Sequence, residues 1–212
     1  MTKTEIIKPS QKVLNRAFPT EEGIDKTLLQ VTNEGLYSMS GVKVSCFIAD
    51  IIIKHMKTKD LIITDGTGNN GSETIIYALL FKKINSIEMN PINFEVLKNN
   101  VNVYKLKNVN LINGDTTKEL EGLTQDVVVI DAPWGGPIYK QNNSVKLYMS
   151  SMEISDIVNK FSNKTKLFIL KVPRNYDINY FGTKVIKDFK VYNYVSEKEN
   201  KAKFKIIVIE NF

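Results

Sequence analysis

The chain has 212 residues, 42% hydrophobic and 25% charged, proportions that suit one soluble globular domain with a substantial core and leave little room for two full domains. Lys and Arg number 29 against 23 Asp and Glu, a net charge of +6 that favours a polyanionic partner such as nucleic acid. Cys46 and His55 are the single cysteine and histidine, which excludes a disulfide framework, a Cys/His metal site and Cys–His catalysis and points to a reducing compartment.

Residues 1 to about 35, with Pro9, Pro19 and Gly23, read as a helical or irregular extension, and residues 36–212 as the domain proper. The opening MTKTEIIKPSQK lacks the apolar centre of a signal peptide, and no apolar run reaches the roughly 18 residues of a membrane helix. His55, in IIIKHMKTK, reads as a helix-end or surface histidine, and Lys54 to Lys59 as a solvated helix face. The abundance of Asn, Ile and Lys reads as the imprint of an AT-rich genome, not of function.

Short apolar runs then alternate with amphipathic stretches. LIITD (61–65), SIEMN (86–90), NVNLIN (108–113), DVVVID (126–131) and KLFILKV (166–172) have strand character. Between them, GSETIIYALLFKK and PINFEVLKNNVNVYKL carry apolar residues at helical spacing, with Tyr77, Phe81, Phe94 and Tyr104 assigned to the core. This alternation predicts an α/β fold: a mostly parallel sheet with right-handed crossovers and helices on both faces. The tail changes pattern, and KVIKDFKVYNYV, a charged turn SEKENKAK and FKIIVIENF predict an antiparallel hairpin at the sheet edge.

In open α/β sheets, ligands bind beyond the carboxyl ends of the strands. The first such end opens DGTGNNGSET (65–74), where Gly66, Gly68 and Gly71 let the backbone turn tightly and approach a ligand and Asn69 and Asn70 tolerate left-handed conformations. No Gly-Lys-Ser/Thr follows, which argues against a nucleoside triphosphatase, and the G-x-G-x-x-G spacing alone is a weak sign of a dinucleotide site. Glu88, followed by Met89, stands about 20 residues beyond the glycines, where an acid accepts ribose hydroxyls. Asp115, followed by Thr116, ends the third strand and can accept from an adenine amino group. Three acids at successive strand ends (Asp65, Glu88, Asp115) form the arrangement expected for S-adenosylmethionine, with Asp65, Gly66, Thr67 and Gly71 near its amino-acid moiety.

The segment DAPWGGPIY (131–139) follows the fourth strand and holds the only tryptophan. An acid followed by proline and an aromatic resembles the Asp/Asn/Ser-Pro-Pro-aromatic signature of amino-group methyltransferases. An exocyclic amine on a base is a weak nucleophile because its lone pair is delocalised into the ring, so catalysis rests on alignment and on acceptors for its N–H bonds. Asp131 and the Ala132 carbonyl are the candidate acceptors, Pro133 stiffens the loop, and Trp134 offers a flat face to the base.

DAPWGGPIY, EGLYSMS (34–40) and VPRN (172–175) together resemble the trimethylguanosine synthase family of RNA cap guanine-N2 methyltransferases over residues 14 to 210. The resemblance implies a class I S-adenosylmethionine-dependent methyltransferase fold, and a compact form of the kind found in large DNA viruses or AT-rich protists. It implies that Trp134 stacks on a 7-methylguanine, that Tyr139 and the Arg174–Asn175 pair hold the cap, and that Ser38 and Ser40 meet the cofactor's carboxylate end. Phe18 in the extension would cover cofactor or cap. Capped RNA is then the partner, no metal or membrane is involved, and a monomer in the nucleus or cytoplasm of a eukaryotic or virus-infected cell is expected. Ala132 in place of the first proline, Met39-Ser40-Gly41 in place of Val-Thr-Pro, and the GTGNNGSE loop depart from the family pattern. Methylation of adenine N6 or guanine N2 within RNA, and a non-catalytic cap- or RNA-binding module, are the alternatives.

Overall fold

Short runs rich in isoleucine and valine become the strands. In a computed structural model that describes residues 3–196 and 201–212, the chain divides into two compact units, Met1–Asp115 and Thr116–Phe212.

The first unit opens with β1 (Ile6–Ile7), α1 (Gln11–Ala17), β2 (Val31–Thr32), α2 (Gly35–Ser38) and α3 (Val42–Met56). It continues through β3 (Ile62–Asp65), α4 (Ser72–Leu80), β4 (Lys83–Glu88), α5 (Pro91–Val103) and β5 (Val109–Asn113). β4 pairs in parallel with β3 on one side and with β5 on the other, so the segment is two successive βαβ units, as the alternating pattern predicts. α5 starts sharply because the Asn90 side chain accepts from the backbone N–H groups of Ile92 and Asn93 and Pro91 stands at the first helical position. His55 lies in the last turn of α3, and Lys54, Lys57 and Lys59 are exposed, in keeping with a solvated helix end.

The N-terminal extension is built into this unit. β1 pairs antiparallel with β2, and Phe18 is fully buried among Leu14, Leu29, Val31, Leu97 and Tyr104. The Tyr104 hydroxyl donates to the Pro19 carbonyl at 2.5 Å. Phe18 is therefore a core residue in this structure and does not cover a ligand, contrary to expectation. Its burial removes an aromatic side chain from water where an aliphatic cluster is already assembled.

A buried amide network fastens the extension to the glycine loop. Asn70 accepts from the Thr32 backbone N–H at 2.8 Å, and its own amide donates to Asn93. Asn100 donates to the carbonyls of Gln30 and Asn70, both at 2.8 Å, and accepts from the Gln30 N–H at 2.9 Å. All three asparagines are nearly sealed from solvent, at 0%, 4% and 0% exposure for Asn70, Asn93 and Asn100. These asparagines have a structural task that the compositional reading missed: Asn70 and Asn100 satisfy backbone groups that the irregular loops leave unpaired, and Asn93 ties the Asn70 and Thr32 side chains together.

The second unit holds α6 (Thr116–Glu119), β6 (Val127–Ile130), β7 (Tyr148–Met149), β8 (Met152–Glu153), α7 (Ile154–Phe161), β9 (Leu167–Pro173), α8 (Ile178–Lys184), β10 (Phe189–Ser196) and β11 (Lys201–Glu210). β6 and β9 are parallel, while β11 runs antiparallel to β9 and to β10. This is the hairpin read from the tail, although residues 197–200 of its charged turn lie outside the described residues. Every residue of β6 and β9 is buried, so both strands are covered on both faces, as the strand-length apolar runs require. On one face Val128, Ile130, Phe168, Leu170, Val172, Ile207 and Ile209 pack with Ile157, Phe161 and Phe181. The sheet is thus mixed and mostly parallel. Among the described residues, no helix is long and apolar enough to cross a membrane.

The amide network has a measurable consequence at Gly35. A Cβ there would lie 1.9 Å from the Asn70 side-chain oxygen, so Gly35→Ala must displace Asn70 and strand the Thr32 N–H. A loss of about 1–3 kcal/mol is expected in urea unfolding, against no change beyond about 0.5 kcal/mol for Gly122→Ala, where nothing lies within 4 Å.

Candidate active site

In the first unit, the segment after β3 is drawn tightly onto β4. Gly71 adopts φ 86°, a left-handed conformation that favours glycine, and turns the chain into α4. A side chain at Gly68 would meet Ser86 Oγ at 2.5 Å and the Ile87 carbonyl at 3.3 Å, and the Gly68 N–H donates to that carbonyl at 2.8 Å. Gly68 thus lets the loop lie against β4, and Gly71 supplies the tight turn.

Asp65 organises this loop from beneath. It is only 1% exposed; one carboxylate oxygen accepts from Thr74 Oγ1 at 2.6 Å and the other from the Thr67 N–H at 3.1 Å. Thr74 in turn shares a hydrogen bond with Ser86 Oγ at 2.8 Å. Gly66 and Gly71 are buried with it, and Thr67 is half-buried.

Glu88, at the end of β4, is the acid presented by the loop. Its two oxygens accept from the Asn69 N–H at 2.8 Å and the Asn90 N–H at 2.7 Å, which fixes the carboxylate plane. Burial pushes its carboxyl above the usual glutamate range, against the pull of those two N–H groups. Met89 beside it is 62% exposed, and Asp115, beyond β5, is half-buried. Ser38 accepts from the Asn69 side-chain amide at 2.6 Å and donates to the Glu34 carbonyl at 3.0 Å. Ser40 is buried. The Asn69 side-chain oxygen is buried without a hydrogen-bond partner. A ligand with N–H or O–H donors would satisfy it, and S-adenosylmethionine carries both. The acidic, donor-seeking lining therefore fits that cofactor.

In the second unit, Thr116 is buried at the start of α6, and DAPWGGPIY forms the exit from β6. Ala132 is buried, Pro133 exposed and Trp134 half-buried. Gly135 and Gly136 have φ 86° and 68°, and the chain then enters a short 3-10 helix over Gly136–Gln141. This folding back brings the Tyr139 ring edge-on to Trp134, with centroids 5.2 Å apart and planes at 83°, a favoured aromatic geometry.

Asp131 is locked in an ion pair with Lys171 of β9, their side chains only 15% and 8% exposed. The Lys171 ammonium also lies 5.5 Å from the ring centres of both Trp134 and Phe204. Burial pushes the Asp131 carboxyl upward, and Lys171 and the Trp134 indole N–H oppose that push. The indole N–H is buried near Asp131 but closes no hydrogen bond of ordinary geometry. Lys171 escaped the sequence reading, yet it had a signal: a lysine inside KLFILKVP, amid a run of buried apolar residues, must find a buried anion.

Arg174 is exposed at the end of β9 and makes no hydrogen bond or ion pair among the described residues. Asn175 differs from expectation: its amide donates to the Tyr139 and Asn142 carbonyls, both at 2.8 Å. Its donors are spent on pinning the Trp134–Tyr139 loop, so it positions the site and does not bind substrate through its amide nitrogen.

The fold is that of class I S-adenosylmethionine-dependent methyltransferases. It resembles the T. thermophilus 16S rRNA N2 G1207 methyltransferase in complex with AdoMet and guanosine, with a TM-score of 0.62 and 12% identity over 86% of this chain and 47% of that one. The chain belongs to the RNA cap guanine-N2 methyltransferase family, whose model matches residues 60–211. It is 34% identical to protein L320 of Acanthamoeba polyphaga mimivirus over 161 residues, 74% of this chain and 60% of the relative. It is 25% identical to the trimethylguanosine synthase of Saccharomyces cerevisiae over 188 residues, 84% of this chain and 59% of that protein. The match thus spans about three fifths of each of these two relatives.

Two measurements probe this chemistry. Lys171→Met leaves Asp131 buried without its cation and is expected to cost about 3–5 kcal/mol of stability in urea, most of it regained in Lys171→Met/Asp131→Asn. The role expected of Glu88, acceptance of ribose hydroxyls, would be strongest from the ionised carboxylate. Affinity for S-adenosylmethionine should therefore fall as pH is lowered through the raised Glu88 pKa. Calorimetric titration of Glu88→Gln should show affinity weaker by about tenfold or more near neutrality and no such acid limb.

Proposed function

We propose that the protein methylates the exocyclic N2 amine of the 7-methylguanosine cap of RNA. The observation that carries this reading is Trp134, a half-buried indole in a Pro-Gly-Gly frame, braced edge-on by Tyr139 at 5.2 Å. Loops rarely require tryptophan for packing, whereas a stacked base does. Methylation at N7 makes guanine cationic, and an indole face favours such a ring by about 1–2 kcal/mol.

The Asp131–Lys171 pair sharpens that preference. An unpaired ammonium 5.5 Å from the indole would oppose a cationic base, and Asp131 beside it cancels the charge. Asp131 and the Ala132 carbonyl accept the N–H bonds of the amine, which orients its lone pair without needing a strong base. Pro133 restricts the loop that carries them. Tyr139 and the unengaged guanidinium of Arg174 hold the cap phosphates, the latter by a charge-assisted fork. Ser38, Ser40, Glu88 and Asp115 hold the cofactor. When bound, S-adenosylmethionine supplies the electrophilic methyl group. The viral and yeast relatives support a setting in a eukaryotic or virus-infected cell.

The test is methyl transfer read by mass spectrometry with 7-methylguanosine-capped dinucleotide, its unmethylated counterpart GpppA, and uncapped RNA. A gain of one or two methyl groups on the methylated cap alone is expected. Transfer to uncapped RNA would instead assign an internal base, and binding without transfer to any substrate would assign a non-catalytic module. Trp134→Ala should lower kcat/KM on the methylated cap by about 10- to 100-fold, with affinity for S-adenosylmethionine unchanged by calorimetry.

A further inference from the structure

A polar cleft of about 340 Å³ opens in the second unit beside the loop that carries Trp134 and Tyr139. Its lining includes Arg174 and Lys205, with Asn143, Ser144, Asp177 and Asn179 around them. The sheet register explains why the two cations meet. Lys205 of β11 stands opposite Val172 of β9; residues two apart on a strand share a face, so Arg174, just past the strand end, falls diagonal to Lys205.

Neither cation makes a hydrogen bond or ion pair among the described residues, nor do the Asn143 and Asn179 side chains. The one acid in the lining is already engaged. Asp177 accepts from the Tyr180 N–H at 2.9 Å and the Ser144 hydroxyl at 3.0 Å. These bonds, with the Lys146 charge nearby, hold its carboxyl below the usual aspartate range. The cleft therefore presents two uncommitted cations and two amides toward a single opening. Little apolar surface is offered for a base to stack on, which suits an anion of the size and polarity of a phosphodiester.

The cleft is also joined to the cap motif through the chain itself. Asn175, between Arg174 and Tyr176, fastens the carbonyls of Tyr139 and Asn142, and Asn143 and Ser144 follow directly. We propose that this cleft holds the phosphodiester of the first transcribed nucleotides beyond the cap. The proposal rests on capped RNA as substrate, and it makes Lys205 a determinant of preference for capped RNA over the free cap. Arg174 then bridges the cap phosphates and the chain that follows them. Recognition is of the backbone and carries no base preference.

The experiment uses the full chain and two ligands: the 7-methylguanosine-capped dinucleotide and a capped single-stranded oligonucleotide of several residues. Affinity is measured by fluorescence anisotropy and transfer by mass spectrometry, for the wild type, Lys205→Ala and Lys205→Arg, with thermal unfolding checking that each variant is folded. The wild type should bind the oligonucleotide more tightly than the dinucleotide. Lys205→Ala should weaken only the oligonucleotide, by about 3- to 10-fold, and lower its salt dependence by about one released counterion. Lys205→Arg should retain the preference. Equal effects on both ligands, no effect on either, or competition by poly-glutamate as effective as that by RNA would overturn the proposal. If no cap is methylated, weaker binding of uncapped RNA by Lys205→Ala still supports a phosphodiester site while the cap reading fails; unaltered binding overturns the site regardless of activity.

Discussion

A carboxylate and an ammonium buried side by side, Asp131 and Lys171, hold the second unit's site together. Lys171 stands within 5.5 Å of the rings of Trp134 and Phe204 while pairing with Asp131. The exit of β6, the last turn of β9 and the start of β11 therefore converge on one cation. The desolvation of such a pair offsets much of its attraction, so its value lies less in net stability than in geometry. Two charges that each need the other admit few alternative arrangements of the loop between them. The Trp134 indole inherits that order, with Tyr139 and Asn175 fixing its other side.

The first unit solves a different problem. Its ligand-facing loop is irregular, and irregular backbone leaves buried donors and acceptors that no ladder satisfies. Asn70 and Asn100 supply the missing partners from side chains, with Asn93 bonded to Asn70, while beneath the loop Asp65 accepts from the Thr67 N–H and is held by Thr74, which in turn meets Ser86. This leaves Glu88 clamped by two backbone N–H groups and the Asn69 oxygen unsatisfied. Rigidity in the support and an unmet buried acceptor are what a polar cofactor finds useful, because little ordering remains to be done on binding.

The two units differ in how far they define a function. A mixed sheet with acids at its strand ends marks a methyltransferase scaffold, and such scaffolds serve many substrates. The features from which the substrate is proposed, an aromatic pair, a compensated buried charge and two cations without a partner among the described residues, all occur in the second unit. The family match over residues 60–211 takes in both the glycine loop and the Trp134 segment.

Much was legible without coordinates. Apolar runs of strand length separated by helical periodicity determined the α/β alternation, because burial on two faces and on one face leave different residue patterns. The β3, β5, β6 and β9 strands fall within a residue or so of those runs, whereas β4 begins three residues before SIEMN, at Lys83, and the tail hairpin is shifted: β10 begins at Phe189, five residues into KVIKDFKVYNYV, and β11 at Lys201, inside the charged turn. The glycine loop, Glu88 and the tryptophan motif were likewise readable, since each depends on residue type and local spacing. Tertiary structure alone decided the pairing of Asp131 with Lys171, forty residues apart, and the engagement of the Asn175 amide nitrogen with the Tyr139 and Asn142 carbonyls. It also decided the burial of Phe18, the work of the asparagines and the meeting of Arg174 with Lys205. Those outcomes depend on which distant groups are brought into a shared dry interior or onto a shared face. A linear pattern records how each residue prefers to be solvated, but not which partner will replace the water.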